Sequence, residues 1–248
     1  MIHDIPQASP HEVGVAGMSQ RGPGALVRTR LDRAAALAAT DANAALTNLD
    51  ALLHELHARR SNAADPLETD TRDALAREAL DLRTGVALGD AALKTGFRRD
   101  FVASIARGAV WSDWAHGVPA SVTIAQAILE SSWGKSAPGF NLFGLKGEGP
   151  AGSTKRRVVE YRGGKRKIRT AHFRAYTHVD EALADHARIL ANGRQYARAR
   201  AVNEDLARYA QALQGTYATD PRYADKLTAM IERYGLARFD WNPRSPWL

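Results

Sequence analysis

A mainly α-helical protein with one small β-hairpin lobe is predicted by three features of the sequence. From Leu26 to Arg60 the chain is rich in Ala and Leu and has neither Gly nor Pro, the composition of a long helix. Apolar residues recur at the helical period there and in several later stretches. The exception is a pair of β-prone segments flanking Gly163-Gly164, which is a hairpin turn signal.

Composition bounds the rest. With 248 residues there is room for one large domain or two modest ones, and 45% apolar with 25% charged residues is a globular balance. No run of about eighteen apolar residues occurs, so no membrane span is expected. The opening MIHDIPQASPHEVG lacks the basic and apolar regions of a standard secretory signal. Without cysteine there are no disulfides, cysteine nucleophiles or thiolate metal sites. The eight His show no ligand spacing with Glu or Asp, so neither metal nor cofactor is expected. The net charge of +7 is uneven, −2 over residues 1–100 and +9 over residues 101–248. A basic second part suits a polyanion. No zinc-finger, RNA-binding or helix-turn-helix signature is visible, so nucleic acid is not the expected partner.

Residues 1–25, rich in Gly, Pro, Ser and His, read as a flexible arm. Residues 26–98 read as a helical N-terminal segment. Leu46, Leu49, Leu53 and Leu56 stripe one long helix ending at Arg60, residues 62–66 break it, and Leu75, Leu82 and Val86 stripe a second from about Glu68 to Leu93. These two helices read as an α-hairpin that packs on the second domain or docks a delivery machine or scaffold. That second domain is expected over 99–240, with a short Pro-containing tail over 241–248.

In the second domain Phe101 to His116 reads as a helix carrying Phe101, Ile105 and Ala109, with Trp111 and Trp114 as core. Pro119 suits the first turn of the next helix, and Gly134 suits its left-handed end. Between them Val122, Ile124, Ala125, Ile128 and Leu129 make a core-facing stripe. Glu130 falls on the opposite side, over Thr123, Gln126 and Ala127, facing a cleft or solvent. Near the helix C-terminus the carbonyl dipoles push its pKa upward, and a carboxyl protonated near neutrality is what a general acid needs.

After a loop at 147–152, Val158 to Tyr161 and Lys167 to Arg169 have β character. Between Lys155 and Arg174 stand nine Lys or Arg and one acid, Glu160, which those cations keep ionised. Helices resume at Val179 to Ala191 and Leu206 to Gln214, and Lys226 to Tyr234 closes the domain. Tyr217 stands beside a Thr219-Asp220-Pro221 turn that displays it into a cleft, while Asp220, before Pro, reads as an N-cap. One carboxyl discouraged from ionising and another encouraged is the pattern of a glycosidase acid and its partner.

Three motifs carry a family resemblance. A-Q-A-I-L-E-S-S-W-G-K-S from Ala125, N-L-F-G-L-K from Asn141 and G-T-Y-A-T-D-P-R-Y-A from Gly215 resemble the autolysin and flagellar type of peptidoglycan N-acetylglucosaminidase, glycoside hydrolase family 73. The likeness runs from about Phe101 to Phe239. It implies a lysozyme-like helical domain with the hairpin across a cleft. It also implies hydrolysis of the β-1,4 bond between N-acetylglucosamine and N-acetylmuramic acid. In that reading Glu130 protonates the leaving oxygen. Glu160, matched by the Glu160-Tyr161 pair, orients water or stabilises positive charge at the sugar carbon. Tyr217 orients the acetamido group or a water, and Trp133, Asn141, Phe143 and Tyr161 contact the sugar. Ala182 and His186 depart from the family's usual Ser and Tyr or Phe, and His186 reads as a packing variant.

Two other functions stay open. One is a muramidase or lytic transglycosylase that cuts the neighbouring linkage. The other is a non-catalytic wall-binding or flagellar assembly protein, against which intact Glu130, Asn141 and Tyr217 weigh. A peptidoglycan substrate puts the action in the periplasm or a target cell wall. Without a standard signal, specialised secretion, flagellar export or a phage is the expected route. An antibacterial effector comes first among these, with a secretion-system component and an inhibitory immunity protein as partners.

Overall fold

Asp41 divides the Ala-rich N-terminal stretch. The computed structural model describes residues 22–60, 62, 64–162 and 165–241, without the side chains of residues 90 and 158–167. Where one helix is expected over 26–60, there are two, α1 (Pro23–Ala38) and α2 (Ala42–Arg59). Asp41 leaves the helical conformation, and its carboxylate accepts from the Ala44 N–H at 2.9 Å, an N-cap. Folding back at this cap lets Val27, Leu31 and Ala34 bury against α2 and α3 (Thr69–Asp90). The expected α-hairpin is therefore a three-helix unit.

A single buried cluster runs from Val27 to Trp241, so these helices share a core with the rest of the chain. Arg83 of α3 is the polar clasp at that junction. Buried itself, it donates to Asp50 of α2 at 2.6 Å, to the Arg238 carbonyl at 2.9 Å and to the Asp240 carbonyl. The Asp240 carboxylate in turn accepts from the Ser121 N–H at 2.9 Å and the Ser121 hydroxyl at 2.8 Å. A carboxylate at the start of a helix is favoured by the helix dipole. Trp241 stacks near His54 and His57 of α2, with ring centres 4.6 and 5.3 Å apart.

The helix that begins there is α5 (Ala120–Ser131), preceded by α4 (Phe97–His116). The one-sided stripe expected of α5 is not what forms. Every residue from Ala120 to Ile128 is buried, Thr123, Gln126 and Ala127 included. Packing of α4, α9 (Tyr223–Tyr234) and the 3-10 turn Leu236–Phe239 against it accounts for this. A helix apolar or small on all sides is a central helix.

The hairpin is longer than expected, β1 (Ser153–Arg162) and β2 (Lys165–Arg174), antiparallel with Ser153 opposite Arg174 and Arg162 opposite Lys165. The expected Gly163-Gly164 turn lies outside the described residues, as do residues 1–21 of the arm and 242–248 of the tail. The remaining helices are α6 (Val179–Asn192), the short α7 (Ala197–Arg200) and α8 (Leu206–Leu213), and α9 begins three residues before its expected start. Trp114 is core as expected, and Trp111 lies half-buried against it. Mainly helical with one antiparallel hairpin is thus the observed architecture. No helix among the described residues is long and apolar enough to cross a membrane.

Arg83→Met keeps the length of the stem but takes the guanidinium away from half-buried Asp50 and from the Arg238 and Asp240 carbonyls. Loss of one partner of a buried pair costs about 3–5 kcal/mol. Chemical denaturation is the measurement, and a change within about 0.5 kcal/mol would mean the clasp holds nothing.

Candidate active site

The E-S-S-W-G segment ends α5 by a tight left-handed turn. Ser132, Trp133 and Gly134 have φ of 51°, 62° and 76°, so the chain reverses two residues earlier than the expected glycine. In non-glycine residues this conformation costs about 1–2 kcal/mol each. Local bonds offset it: the Gly134 N–H donates to the Ser131 hydroxyl at 2.7 Å, and the Trp133 N–H to the Ile128 carbonyl at 3.1 Å. Gly134 itself cannot be replaced cheaply, because a Cβ there would lie 2.8 Å from the Phe101 ring. The turn leaves Glu130 at the open end of an otherwise buried helix.

Glu130 lines an open cleft of about 680 Å³, walled by Phe143–Lys146 and by Tyr217–Asp220, Tyr223 and Lys226. The Tyr223 hydroxyl donates to the Glu130 carboxylate at 3.0 Å. Loss of water from the carboxyl against the cleft walls raises its pKa above the ordinary value, and the Tyr223 hydrogen bond offsets part of that rise. The upward direction is the one expected from the sequence, with desolvation as the leading cause. Burial also raises the pKa values of Tyr217 and Tyr223, keeping both phenols protonated and able to donate. Behind Tyr223 the polar contacts continue inward: the buried Gln126 amide nitrogen is 3.1 Å from the Tyr223 hydroxyl, and its oxygen 3.1 Å from Nε2 of buried His186.

Of the residues expected to form the site, Glu130, Phe143 and Tyr217 come together in the cleft wall. Tyr217 is engaged, donating to the Phe143 carbonyl at 3.1 Å with its ring stacked on Tyr223 at 5.9 Å. Asn141 is buried and works on the backbone. Its amide nitrogen donates to the carbonyls of Leu145 and Arg174, both at 2.9 Å, and its oxygen accepts from the Leu145 N–H at 3.0 Å. It thereby ties the cleft wall to β2. Trp133 is not among the cleft-lining residues; it packs against Phe97, Phe101 and Tyr234, with ring centres 5.0 to 6.3 Å away. Glu160 and Tyr161 have their backbones in β1, opposite Lys167 and Arg166, and their side chains lie outside the described residues. Asp220 is not the expected N-cap, since α9 begins after Arg222; it accepts from the Arg222 N–H at 2.9 Å within the preceding turn and pairs with Lys226. No group of three metal-ligating side chains lies together among the described residues.

Tyr223 and Gln126 were not visible as site residues in the sequence. Tyr223 stands six positions after Tyr217 in the third motif, at the first turn of α9, and only the packing of α9 on α5 brings it to Glu130. Gln126 reads as one small polar residue on a helix face until its burial is known.

A family model described as "Mannosyl-glycoprotein endo-beta-N-acetylglucosaminidase" matches residues 111–236, slightly more than half of the chain and the whole cleft. The chain belongs to the glucosaminidase family. This family is glycoside hydrolase family 73, as the motifs imply. Among curated relatives, a "Probable N-acetylmuramidase" of Lactococcus lactis subsp. cremoris is 41% identical over 150 residues, covering 56% of this chain and 34% of that protein. The "Exo-glucosaminidase LytG" of Bacillus subtilis is 41% identical over 134 residues, 50% of this chain and 47% of that protein. The chain thus spans a third to a half of the length of these curated relatives. Among solved structures, the catalytic domain of the autolysin Auto from Listeria monocytogenes matches with a TM-score of 0.51 at 33% identity, covering 65% of this chain and 97% of that one. The glucosaminidase domain here therefore has the lysozyme-like architecture of glycoside hydrolases, and the three helices α1–α3 precede the matched region.

In this glucosaminidase domain Asn141→Ala would remove one donor from the carbonyls of Leu145 and Arg174 and the acceptor of the Leu145 N–H, while the Leu145 carbonyl keeps the Arg174 N–H at 2.9 Å. A buried polar group left unmade costs about 1–3 kcal/mol. The expected outcome is a lower melting temperature together with reduced turnover of cell walls. Unchanged melting would show that water replaces the amide fully.

Proposed function

We propose that the protein hydrolyses peptidoglycan at the β-1,4 bond between N-acetylglucosamine and N-acetylmuramic acid, with Glu130 as general acid. The observation that carries this reading is a carboxyl lining an open cleft, with a raised pKa and a phenol donating to it. A glycan strand lying between Phe143–Lys146 and Tyr217–Tyr223 brings a glycosidic oxygen to Glu130, which protonates it as the bond breaks. Glu160 is the proposed second carboxylate. Its support is the run of cations around it, with Lys155, Arg156, Arg157 and Arg169 exposed on the hairpin, which favours an ionised group able to orient water or stabilise positive charge. Tyr217, its hydroxyl on the Phe143 carbonyl, holds the two walls at a fixed spacing and presents its ring to the sugar. The substrate sets the place of action outside the cytoplasmic membrane.

Relatives named "Probable N-acetylmuramidase" favour a second reading, in which the neighbouring linkage is cut by the same acid. Mass spectrometry of the released muropeptides separates the two: N-acetylglucosamine at the reducing end supports the first reading, and N-acetylmuramic acid the second.

Glu130→Gln is expected to fold and to lose about 100- to 10,000-fold in wall hydrolysis, since Gln has no acidic proton. In the native enzyme kcat/KM should fall as pH rises through the raised pKa of Glu130, because the protonated form is the active one. That limb lies above the range of an ordinary Glu. Export of the protein to the periplasm of a Gram-negative host should harm growth, and Glu130→Gln should abolish the harm. A folded Gln variant that clears walls at the native rate would remove Glu130 from the mechanism.

Glu160→Gln is expected to lower turnover strongly while leaving the fold intact, by less than the Glu130 change if the substrate's acetamido group assists. Unchanged turnover in purified sacculi would assign Glu160 to charge balance with its basic neighbours alone.

A further inference from the structure

Behind the cleft lies a set of buried polar contacts that the acid's own chemistry does not require. His186 of α6, Gln126 of α5 and Tyr223 of α9 lead one into the next and end on Glu130, each step 3.0 or 3.1 Å. Three separate helices contribute to it. We propose that His186, Gln126 and Tyr223 form a one-way hydrogen-bond relay that ends on Glu130 and sets how firmly the acid holds its proton. His186 is a positioning residue in this relay. The inference rests on the reading of Glu130 as general acid.

Chemistry dictates the direction of the relay. An ionised carboxylate only accepts, so the Tyr223 O–H must point at Glu130. Its oxygen is then left to accept from the Gln126 NH2, which turns the Gln126 carbonyl toward His186. That carbonyl needs a donor, and only the Nε2–H tautomer of His186 supplies one. The other ring nitrogen, Nδ1, is buried with no hydrogen-bond partner among the described residues. An unpartnered buried nitrogen costs stability, and the ring lies stacked on Phe143 with centres 3.9 Å apart, a place a phenyl group would fill without that cost. The histidine is thus a poor choice for packing and a good one for donating to Gln126. Burial moves its pKa down to about 3, so it stays neutral and its tautomer is not lost near neutrality.

Other titratable groups surround the relay. Asp185 precedes His186 on α6 and is held by Arg174, Arg188 and Tyr176. Tyr217, in the loop after α8, faces both His186 and Tyr223, and Tyr196 in the turn before α7 lies against Tyr217. Lys146, Asp220 and Lys226 stand on the cleft walls. The relay differs from all of these in making the direct contact with the carboxylate. Hydrogen bonds in a chain polarise one another, so a donor fixed at the far end strengthens the last bond. That favours the ionised form of Glu130 and opposes the rise caused by burial.

His186→Phe leaves the buried Gln126 carbonyl without its donor, so it is expected to melt somewhat lower and to weaken the acid dissociation of Glu130 roughly 3- to 10-fold, moving the basic limb of kcat/KM to higher pH. Tyr223→Phe should move it further, and adding His186→Phe to Tyr223→Phe should change nothing more. An unmoved limb in His186→Phe, or shifts that simply add in the double variant, would overturn the relay. Carbon-13 titration of the Glu130 carboxyl gives the same comparison without turnover. A relay that fails there is thereby distinguished from a general-acid reading that fails through an active Glu130→Gln. Should His186→Phe not fold, the nitrogen-15 spectrum of the native protein decides. A neutral Nε2–H imidazole from about pH 5 to 8 supports the relay, and an Nδ1–H or charged ring overturns it.

Discussion

The burial of α5 on every side is the constraint on which the rest of the molecule depends. A helix that can face no solvent must be enclosed, and α4, α9 and the Leu236–Phe239 turn do so while the Asp240 carboxylate holds its first turn. Each buried Val or Ile in it contributes about 1.5–3 kcal/mol. Of the residues in this helix, only Glu130 at the open end can carry a charge. Enclosure of the helix and placement of Glu130 at the cleft are therefore the same event. The left-handed turn at Ser132–Gly134 makes the exit abrupt, so the Glu130 carboxyl, the proposed acid, projects from the end of the helix into the cleft.

The three N-terminal helices are part of that enclosure. Arg83 reaches from α3 to the carbonyl of Asp240, whose side chain holds Ser121. A path of direct bonds thus runs from α2, through the closing turn, to the start of the helix that ends in Glu130. Trp241 packed against His54 and His57 adds apolar area to the same joint. Whatever else α1–α3 bind, they brace the glucosaminidase domain.

Motif residues that read as substrate contacts serve in part as architecture. Asn141 commits its hydrogen bonds to Leu145 and Arg174, and Trp133 places its ring in the aromatic cluster of Phe97, Phe101 and Tyr234. Both fix backbone beside Glu130, one in the cleft wall and one in the turn. The Tyr217 hydroxyl reaches the Phe143 carbonyl, and Tyr223 touches the Glu130 carboxylate itself.

The helical class, the hairpin and the family were legible from the sequence, which also offered Glu130 as the candidate acid. Each rests on local signals: helical periodicity, a Gly-Gly turn between β-prone segments, and motifs whose spacing is short. The break at Asp41 was missed because an Ala-rich stretch has no strong local preference for where it stops, and a single cap decides. The full burial of α5 was missed because Thr123, Gln126 and Ala127 are small or polar, and periodicity cannot tell a solvent face from one covered by another helix. The contact of Tyr223 with Glu130, 93 residues apart in the chain, and of His186 with Gln126, 60 apart, needed α9 and α6 to be packed. Local chemistry determined what kind of group could act as the acid. Only the tertiary structure decided which groups surround it, because hydrogen bonding and desolvation depend on distance in space and not on distance along the chain.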